Sequence, residues 1–329
     1  MYPGAKAAQF VVKIGTETFR EYSESVSEVT VDTAVDGADR CRIALTPPFD
    51  HEFGSFKNVA LDSIGPGTGV SVGMAYGEES SAQLFSGEVE TVEPTFPTAE
   101  PPWIVVTAYG HSRKMMRGTR SDSWKGKSLE AIVESIASNY FEDIEIEDGG
   151  ITPQGVIQDN ESDYRFLKRV AAKYGFEFFS SAGTLYFVPR DGGVSPGDPV
   201  TTLTYGSSLE SFSATTKALR HGAVVVKYWD RERRKKISAE ANNGSGGSPE
   251  VFRIRVSSQA EAQRIADSKL HTSRVTGVAK TFGIPSLVAG EVVELTGFSS
   301  EYEKNYYITD AIHRIGDDGY KTEFEVRGL

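Results

Sequence analysis

The residues best suited to proton transfer or metal binding are few and scattered. The chain holds five histidines, His51, His111, His221, His271 and His313. No two of them share an i,i+4 helical spacing, and no His-Glu-x-x-His run is present. A Ser/His/Asp triad assembles in space, so sequence leaves it open, but no Gly-x-Ser-x-Gly elbow raises its odds. His313 ends a strand-like run beside Arg314 and reads as structural. Cys41 is the single cysteine. It can form no internal disulfide and no half of a Cys-x-x-Cys metal pair. No catalytic residue, metal or cofactor is therefore assigned.

Three other clusters invite chemistry. Glu142-Asp-Ile-Glu-Ile-Glu-Asp148 concentrates carboxylates, and a glycosidase needs two acids facing each other across a cleft. Here they alternate with Ile144 and Ile146, the pattern of a half-buried strand. Gly65-Pro-Gly-Thr-Gly69 is glycine-rich but lacks the Lys-Ser/Thr of a phosphate-binding loop and opens no helix, so it reads as a turn. Arg231-Glu-Arg-Arg-Lys-Lys236 is the one basic run. Arg231, Arg233, Arg234, Lys235 and Lys236 are candidates for contact with an acidic neighbouring surface. A solvated hairpin tip is the plainer alternative. Nucleic-acid binding is disfavoured, because no aromatic residues interleave the run. Trp103, Trp124 and Trp229 are too few, and too strand-bound, to make a convincing carbohydrate platform.

The elements that must position these residues are mostly strands. The chain has 329 residues with 35 Lys+Arg against 46 Asp+Glu, a net charge of −11, which argues against general attraction to phosphates. No run approaches ~20 apolar residues, the length of a membrane-spanning helix. No basic stretch followed by an apolar run opens the chain, so no secretory leader is expected. Residues 1–115 show short β-type runs, among them Phe10–Ile14, Val29–Val31, Arg40–Leu45, Val70–Tyr76, Leu84–Val92 and Trp103–Tyr109, separated by Pro and Gly. Residues 116–200 change period. Ser128 caps a predicted helix with Leu129, Ile132, Val133 and Ile136 on one face. A second helix from Asp163 to Tyr174 stops at Gly175, followed by the hairpin Phe176–Phe179/Thr184–Val188. Residues 201–329 return to β, with a helix opened by the capping box Ser258-Gln-Ala-Glu261 and a flexible loop near 237–250. The expected fold is mainly β: two β regions, each a sandwich or a small barrel, flanking a small α+β domain.

A faint echo joins the two ends, readable either as coincidence between two generic β meanders or as two related barrels. Gly69 precedes a strand, Phe85 starts the next one, and Trp103 opens a third. Gly290, Tyr306 and Tyr320 repeat the arrangement, with the same separation of 16 between the first two marks.

Three blocks carry a family resemblance. The first is Gln158-Asp-Asn-Glu-Ser-Asp163 with Tyr-Arg-Phe-Leu-Lys-Arg-Val-Ala-Ala-Lys-Tyr-Gly-Phe-Glu-Phe178 and Gly183-Thr-Leu-Tyr-Phe187. The second runs from Ala260 through Gly283-Ile-Pro, Gly290-Glu-Val-Val-Glu-Leu295 and Tyr306–His313 to Gly319–Phe324; the third is Leu84-Phe-Ser-Gly-Glu-Val89. In this order they resemble the phage baseplate hub proteins of the late control protein D family, and the N-terminal half of type VI secretion spike proteins. The resemblance implies a structural late protein of tail assembly, made in the host cytoplasm and built into the baseplate of a virion tail or tailocin-like injection device. It implies a homotrimer whose two tube-type barrels per chain build a pseudo-sixfold ring, a symmetry adaptor between a hexameric tail tube protein and a trimeric central spike. Baseplate wedge proteins are further expected partners; membrane binding and specific nucleic-acid binding are not. No spike domain follows the last strand, so the spike is expected to be a separate polypeptide. Glu88, Glu90, Glu291 and Glu294 are candidate lumen-facing acids. A contractile tail is the first expectation and a non-contractile tail tip the alternative. A tail-associated cell-wall hydrolase, working through Glu142–Asp148, is the alternative of another class.

Overall fold

The computed structural model describes residues 8–20, 25–76, 81–190, 198–217, 222–231, 233–244, 248–270 and 275–329. In chain order the strands of the first part are β1 (Ala8–Ile14), β2 (Glu17–Arg20), β3 (Val26–Ala34), β4 (Arg40–Leu45), β5 (Phe49–Asp50), β6 (Ser55–Phe56), β7 (Gly69–Tyr76), β8 (Ala82–Thr95) and β9 (Trp103–Gly110). The middle holds α1 (Ser112–Met115), β10 (Arg120–Trp124), α2 (Leu129–Ala137), β11 (Ile144–Ile146), β12 (Val156–Glu161), α3 (Asp163–Tyr174), β13 (Phe176–Ser181) and β14 (Thr184–Pro189). Then follow β15 (Thr201–Thr204), β16 (Ser211–Thr216), β17 (Ala223–Asp230), β18 (Lys235–Asn242), β19 (Glu250–Arg253), α4 (Gln259–Leu270), β20 (Val275–Phe282), β21 (Val292–Thr296), β22 (Lys304–Gly316) and β23 (Gly319–Gly328).

Both ends of the chain join one 13-stranded sheet. The N-terminal module runs β2-β1-β7-β8-β9-β4-β3 and the C-terminal module runs β15-β21-β22-β23-β20-β16. The two meet where β22 pairs antiparallel with β3, Asp310–Ile315 against Val29–Ala34. Period-2 alternation places Val12, Ile14, Val31, Ile43, Val72, Phe85 and Val106 in one core and Leu203, Ala279, Val293, Tyr306, Ile308 and Phe324 in the other.

The modules repeat each other strand for strand. β7, β8, β9, β4 and β3 stand in the same order as β21, β22, β23, β20 and β16. In each, the long central strand carries a bulge at a matching place: Val89/Thr91 in β8 against β9, and Ile308/Asp310 in β22 against β23. The residue before the bulge is held alike on its other side. Gly67 N–H donates to Val89 O while Val89 N–H donates to Thr68 O; Gly290 N–H donates to Ile308 O while Ile308 N–H donates to Glu291 O. Gly67 and Gly290 both need positive φ, +85° and +96°. This hydrogen-bond pattern pairs Gly67 with Gly290 and Val89 with Ile308, so the modules do correspond, but not through the marks Gly69 and Phe85 of the sequence echo, which lie two residues out of this register.

The middle module is assembled from two separate stretches. Ser128 Oγ accepts from Ala131 N–H at 3.1 Å, and Ser162 Oγ accepts from Arg165 N–H, so both helices start on side-chain caps. Gly175 closes α3 with φ +80°. Leu129, Ile132, Val133, Phe166, Leu167 and Val170 fill a core that also takes Val224, Val226, Ile237, Ala239, Ile265 and Ala266. The β18-β17-β19 sheet and α4 therefore belong with this module. That corrects the expected grouping of 201–329 as one unit: residues 223–270 leave the C-terminal module between β16 and β20 and pack on the α+β core. It also corrects the flexible loop expected near 237–250. Lys235–Asn242 is a strand paired with β17 over its whole length, because Ile237, Ala239 and Ala241 alternate into the core. Residues 245–247 of that loop lie outside the described residues.

Candidate functional site

The surface with the most organised chemistry is the solvent face of the shared sheet. The residues that alternate with the core positions are Glu28 and Asp32 on β3, Arg40 and Arg42 on β4, Asp310, Ile312 and Arg314 on β22, and Lys321, Glu323 and Glu325 on β23. Opposite charges stand on neighbouring strands and pair: Arg40 with Asp32 at 2.5 Å, Arg42 with Glu28 at 3.4 Å and Lys280 with Glu323 at 2.8 Å. Asp32, by hydrogen bond and then by charge, holds the Arg40 guanidinium above its usual range. A shallow concavity of about 830 Å³ runs along this face between Glu28, Arg42, Lys280, Ile312, Arg314 and Lys321. Sequence reasoning missed these residues, although their signal was present as period-2 alternation in Arg40-Cys-Arg42 and Lys321-Thr-Glu-Phe-Glu325.

The four candidate lumen acids do not form one group. Glu88 pairs with Lys114 at 2.5 Å, and Glu90 with Arg113 at 3.4 Å and Arg117 at 2.6 Å. Both thus tie β8 to the helical turn α1 and the residues after it. Glu294 accepts from Thr202 Oγ1 at 2.6 Å, on β21. Glu291 sits half-buried before β21; burial, and then the charge of Glu145, push its carboxyl up.

The basic run occupies the tip of the β17–β18 hairpin. Arg231, Arg233, Arg234, Lys235 and Lys236 are all exposed. Arg233 is held by Asp230, its N–H donating to Oδ1 at 3.0 Å and its Nε lying 3.8 Å from Oδ2. Arg234 takes positive φ to make the turn. Trp229, next to this tip, is 56% exposed.

The acidic cluster does not converge. Asp148 accepts from Glu130 N–H and Gly150 N–H, so it caps α2 and its own turn. Ile144 and Ile146 pack on the middle core, leaving Glu145 on the other face of β11. Among the described residues no group of three or more His, Cys, Asp or Glu is arranged to hold a metal ion.

Two polar constellations are buried, one within the C-terminal module and one between the middle and C-terminal modules. His313, fully buried on β22, has Nδ1 2.9 Å from the Tyr320 hydroxyl and 3.2 Å from Thr322 Oγ1, and Nε2 3.0 Å from Leu287 O. Burial lowers its pKa to about 4. Glu177 of β13 accepts from the Tyr307 hydroxyl at 2.5 Å and from Arg327 Nη2 at 2.8 Å, linking the middle module to β22 and β23. His111 stacks edge-on against Phe141, and His51 against Phe49. His221 and His271 lie outside the described residues.

The fold has solved counterparts. A 43 kDa tail protein of prophage MuSo2 from Shewanella oneidensis is 14% identical, with a TM-score of 0.72 over 97% of this chain and 98% of that one. A tail protein from Neisseria meningitidis MC58 is 12% identical, with a TM-score of 0.71 over 98% and 96%. An E. coli component of the type VI secretion system, described as similar to bacteriophage T4 tail proteins, is 13% identical, with a TM-score of 0.62 over 97% of this chain and 76% of that one. No curated protein matches the sequence. The family model for the phage tail baseplate hub (GPD) matches residues 53–319. That span takes in the bulged strand of each module and the whole of the middle module, and on it the chain belongs to the phage tail baseplate hub family.

Proposed function

We propose that three copies of this chain form a ring that joins the hexameric tail tube to a separate trimeric spike. The observation that carries this reading is the repeated strand order with its matching bulges. A chain with two like modules presents, as a trimer, six similar units to a sixfold partner while keeping threefold symmetry for the other. The shared sheet, with its mixed and mutually paired charges, serves as the channel wall. The ion pairs Arg40–Asp32, Arg42–Glu28 and Lys280–Glu323 neutralise part of this face, so the field that a passing polyanion meets is mixed rather than of one sign. The chain contributes architecture and no catalysis. The basic hairpin tip at Arg231–Lys236, which stands out on an acidic chain, is the contact offered to an acidic spike or wedge surface. The tail is contractile in this reading; a non-contractile tail tip would use the same ring.

Native mass measurement tests the proposal. The protein alone is expected at three times the 35.8 kDa chain mass, and the mixture with its spike at that mass plus a spike trimer. A monomer under both conditions overturns it.

A further inference from the structure

We propose that the free edge of β16 in one copy pairs antiparallel with the free edge of β8 beyond its bulge in a second copy, in the register that β3 and β22 already use within the chain. This rests on the trimeric reading above and names the surfaces that close the ring.

The internal junction is the template. β22 has β23 along one side; on its other side β21 covers Lys304–Tyr307 and β3 covers Asp310–Ile315. Val35 N–H donates to Thr309 O at the bulge, where that second pairing begins. β8 repeats the first part of this arrangement. β9 lies along one side, and β7 covers its first half as far as Glu88. Beyond the bulge, Thr91–Thr95 has no partner on that side among the described residues. β16 is the matching donor edge. It occupies in the C-terminal module the place of β3, paired with β20 on one side and with no strand on the other among the described residues. Its burial fits: β3 is buried at Val29, Thr30, Val31 and Thr33, whereas every β16 residue but Phe212 is exposed.

The register follows from equivalent positions. Val31 stands opposite Cys41, which faces Ala108; Ala214 stands opposite Gly277, which faces Val326. Ala108 and Val326 in turn lie opposite the residues before the two bulges, Val89 and Ile308. Val31 therefore corresponds to Ala214, and Ile308 to Val89. Thr33↔Ala311 and Asp32↔Ile312 become Thr216↔Val92 and Thr215↔Glu93 between copies. The side-chain faces agree. Phe212 and Val92 both lie on the core side of their modules, so pairing extends one continuous surface.

Pro94 fits the same edge. In an antiparallel strand alternate residues bond to opposite neighbours, and by that alternation Val92 and Pro94 turn their backbone polar groups away from β9. The missing N–H of Pro94 costs the existing ladder nothing. In the new ladder it removes one donor, so pairing runs from Thr91 to the Pro94 carbonyl and stops there. A ring then forms without an open strand for indiscriminate addition.

The test is a cross-link in the full chain. Thr215 and Glu93 form a non-hydrogen-bonded pair, for which Cα atoms lie about 4.5 Å apart, inside the disulfide range of roughly 4.4–6.8 Å. The double variant Glu93→Cys/Thr215→Cys, mildly oxidised, is expected to give a covalent trimer on a non-reducing denaturing gel. Native Cys41 is fully buried and adds no background. Val92→Cys/Thr215→Cys, slipped by one residue, places the thiols on opposite faces and is expected to cross-link at least about tenfold less. A trimeric native mass without cross-linking overturns the pairing and leaves the trimer standing. Equal cross-linking in the slipped variant overturns the register. A monomeric wild type overturns both readings. Ala214→Pro gives a second route: its N–H faces the free edge rather than β20, so the fold is kept and subunit dissociation is expected at least tenfold higher concentration. Unchanged association refutes the ladder.

Discussion

His313 makes the stability of this protein depend on pH in a way that can be worked out from its surroundings. The ring is fully buried, with Tyr320, Thr322 and the Leu287 carbonyl around its two nitrogens. Burial lowers its pKa from 6.5 to about 4. The unfolded chain therefore takes up a proton at this site at higher pH than the folded one does. The stability held in the neutral ring is complete above pH 6.5, drains as the pH falls from 6.5 towards 4, and changes no further below that. Between pH 7 and pH 4.5 the loss from this one residue comes to about 2–3 kcal/mol. His313→Gln keeps polar contact with its neighbours and cannot titrate. Urea unfolding of both proteins at pH 7, 6, 5 and 4.5 is the assay. The wild type is expected to lose about 2–3 kcal/mol more than His313→Gln across that range, with the divergence setting in below pH 6.5. Parallel pH dependence would show that the ring is protonated in the folded protein and refute the reasoning.

Three further substitutions probe other joints. Glu177→Ala leaves Arg327 without its carboxylate, at a pair whose side chains are only 10% and 14% exposed; it is expected to cost about 3–5 kcal/mol in denaturant unfolding, and Glu177→Gln markedly less. Gly290→Ala puts a methyl 2.4 Å from the Phe179 ring at φ +96°; the expected loss is at least about 2 kcal/mol, seen as a lower thermal midpoint. Asp39 is buried, and burial raises its carboxyl well above the usual range, so its folded form favours the proton and stability falls as pH rises. Asp39→Asn removes that dependence, and the variant is expected to gain on the wild type as the pH rises above about 4 in thermal melts.

Strands were legible where they carry a strict alternation: Phe10–Ile14, Arg40–Leu45 and Trp103–Tyr109 all emerge as strands with every second residue buried, whereas β16, exposed at all but Phe212, gave no such signal. Both caps of the middle helices, Ser128 and Gly175, do what their residue types suggest. The capping box at Ser258 is more particular. Ser258 Oγ accepts from Glu261 N–H, but the Glu261 carboxylate turns to Ser257 N–H and Oγ instead of Ser258. What sequence could not show was membership across distance. Ile237, Ala239 and Ala241 fell inside the expected loop, and even read as a strand their alternation tells which face is apolar and not which module it meets. The polar composition around Asn242–Pro249 masked a strand whose inner face is one isoleucine and two alanines. Glu88, Glu90, Glu291 and Glu294 share a residue type and strand-like neighbours, and only the positions of Lys114, Arg113, Arg117 and Thr202 in space separate them.

The β3–β22 junction also bears on how the polypeptide matures. β3 is made among the first thirty-odd residues, yet its second neighbour, Asp310–Ile315, leaves the ribosome almost last. Until then one flank of an apolar strand stays uncovered, and the middle core likewise waits for Ile265 and Ala266. Translation halted shortly before residue 310 therefore yields a molecule with an unsatisfied N-terminal edge, suited to aggregation rather than to partial activity. Completing the carboxyl end is what seals the beginning.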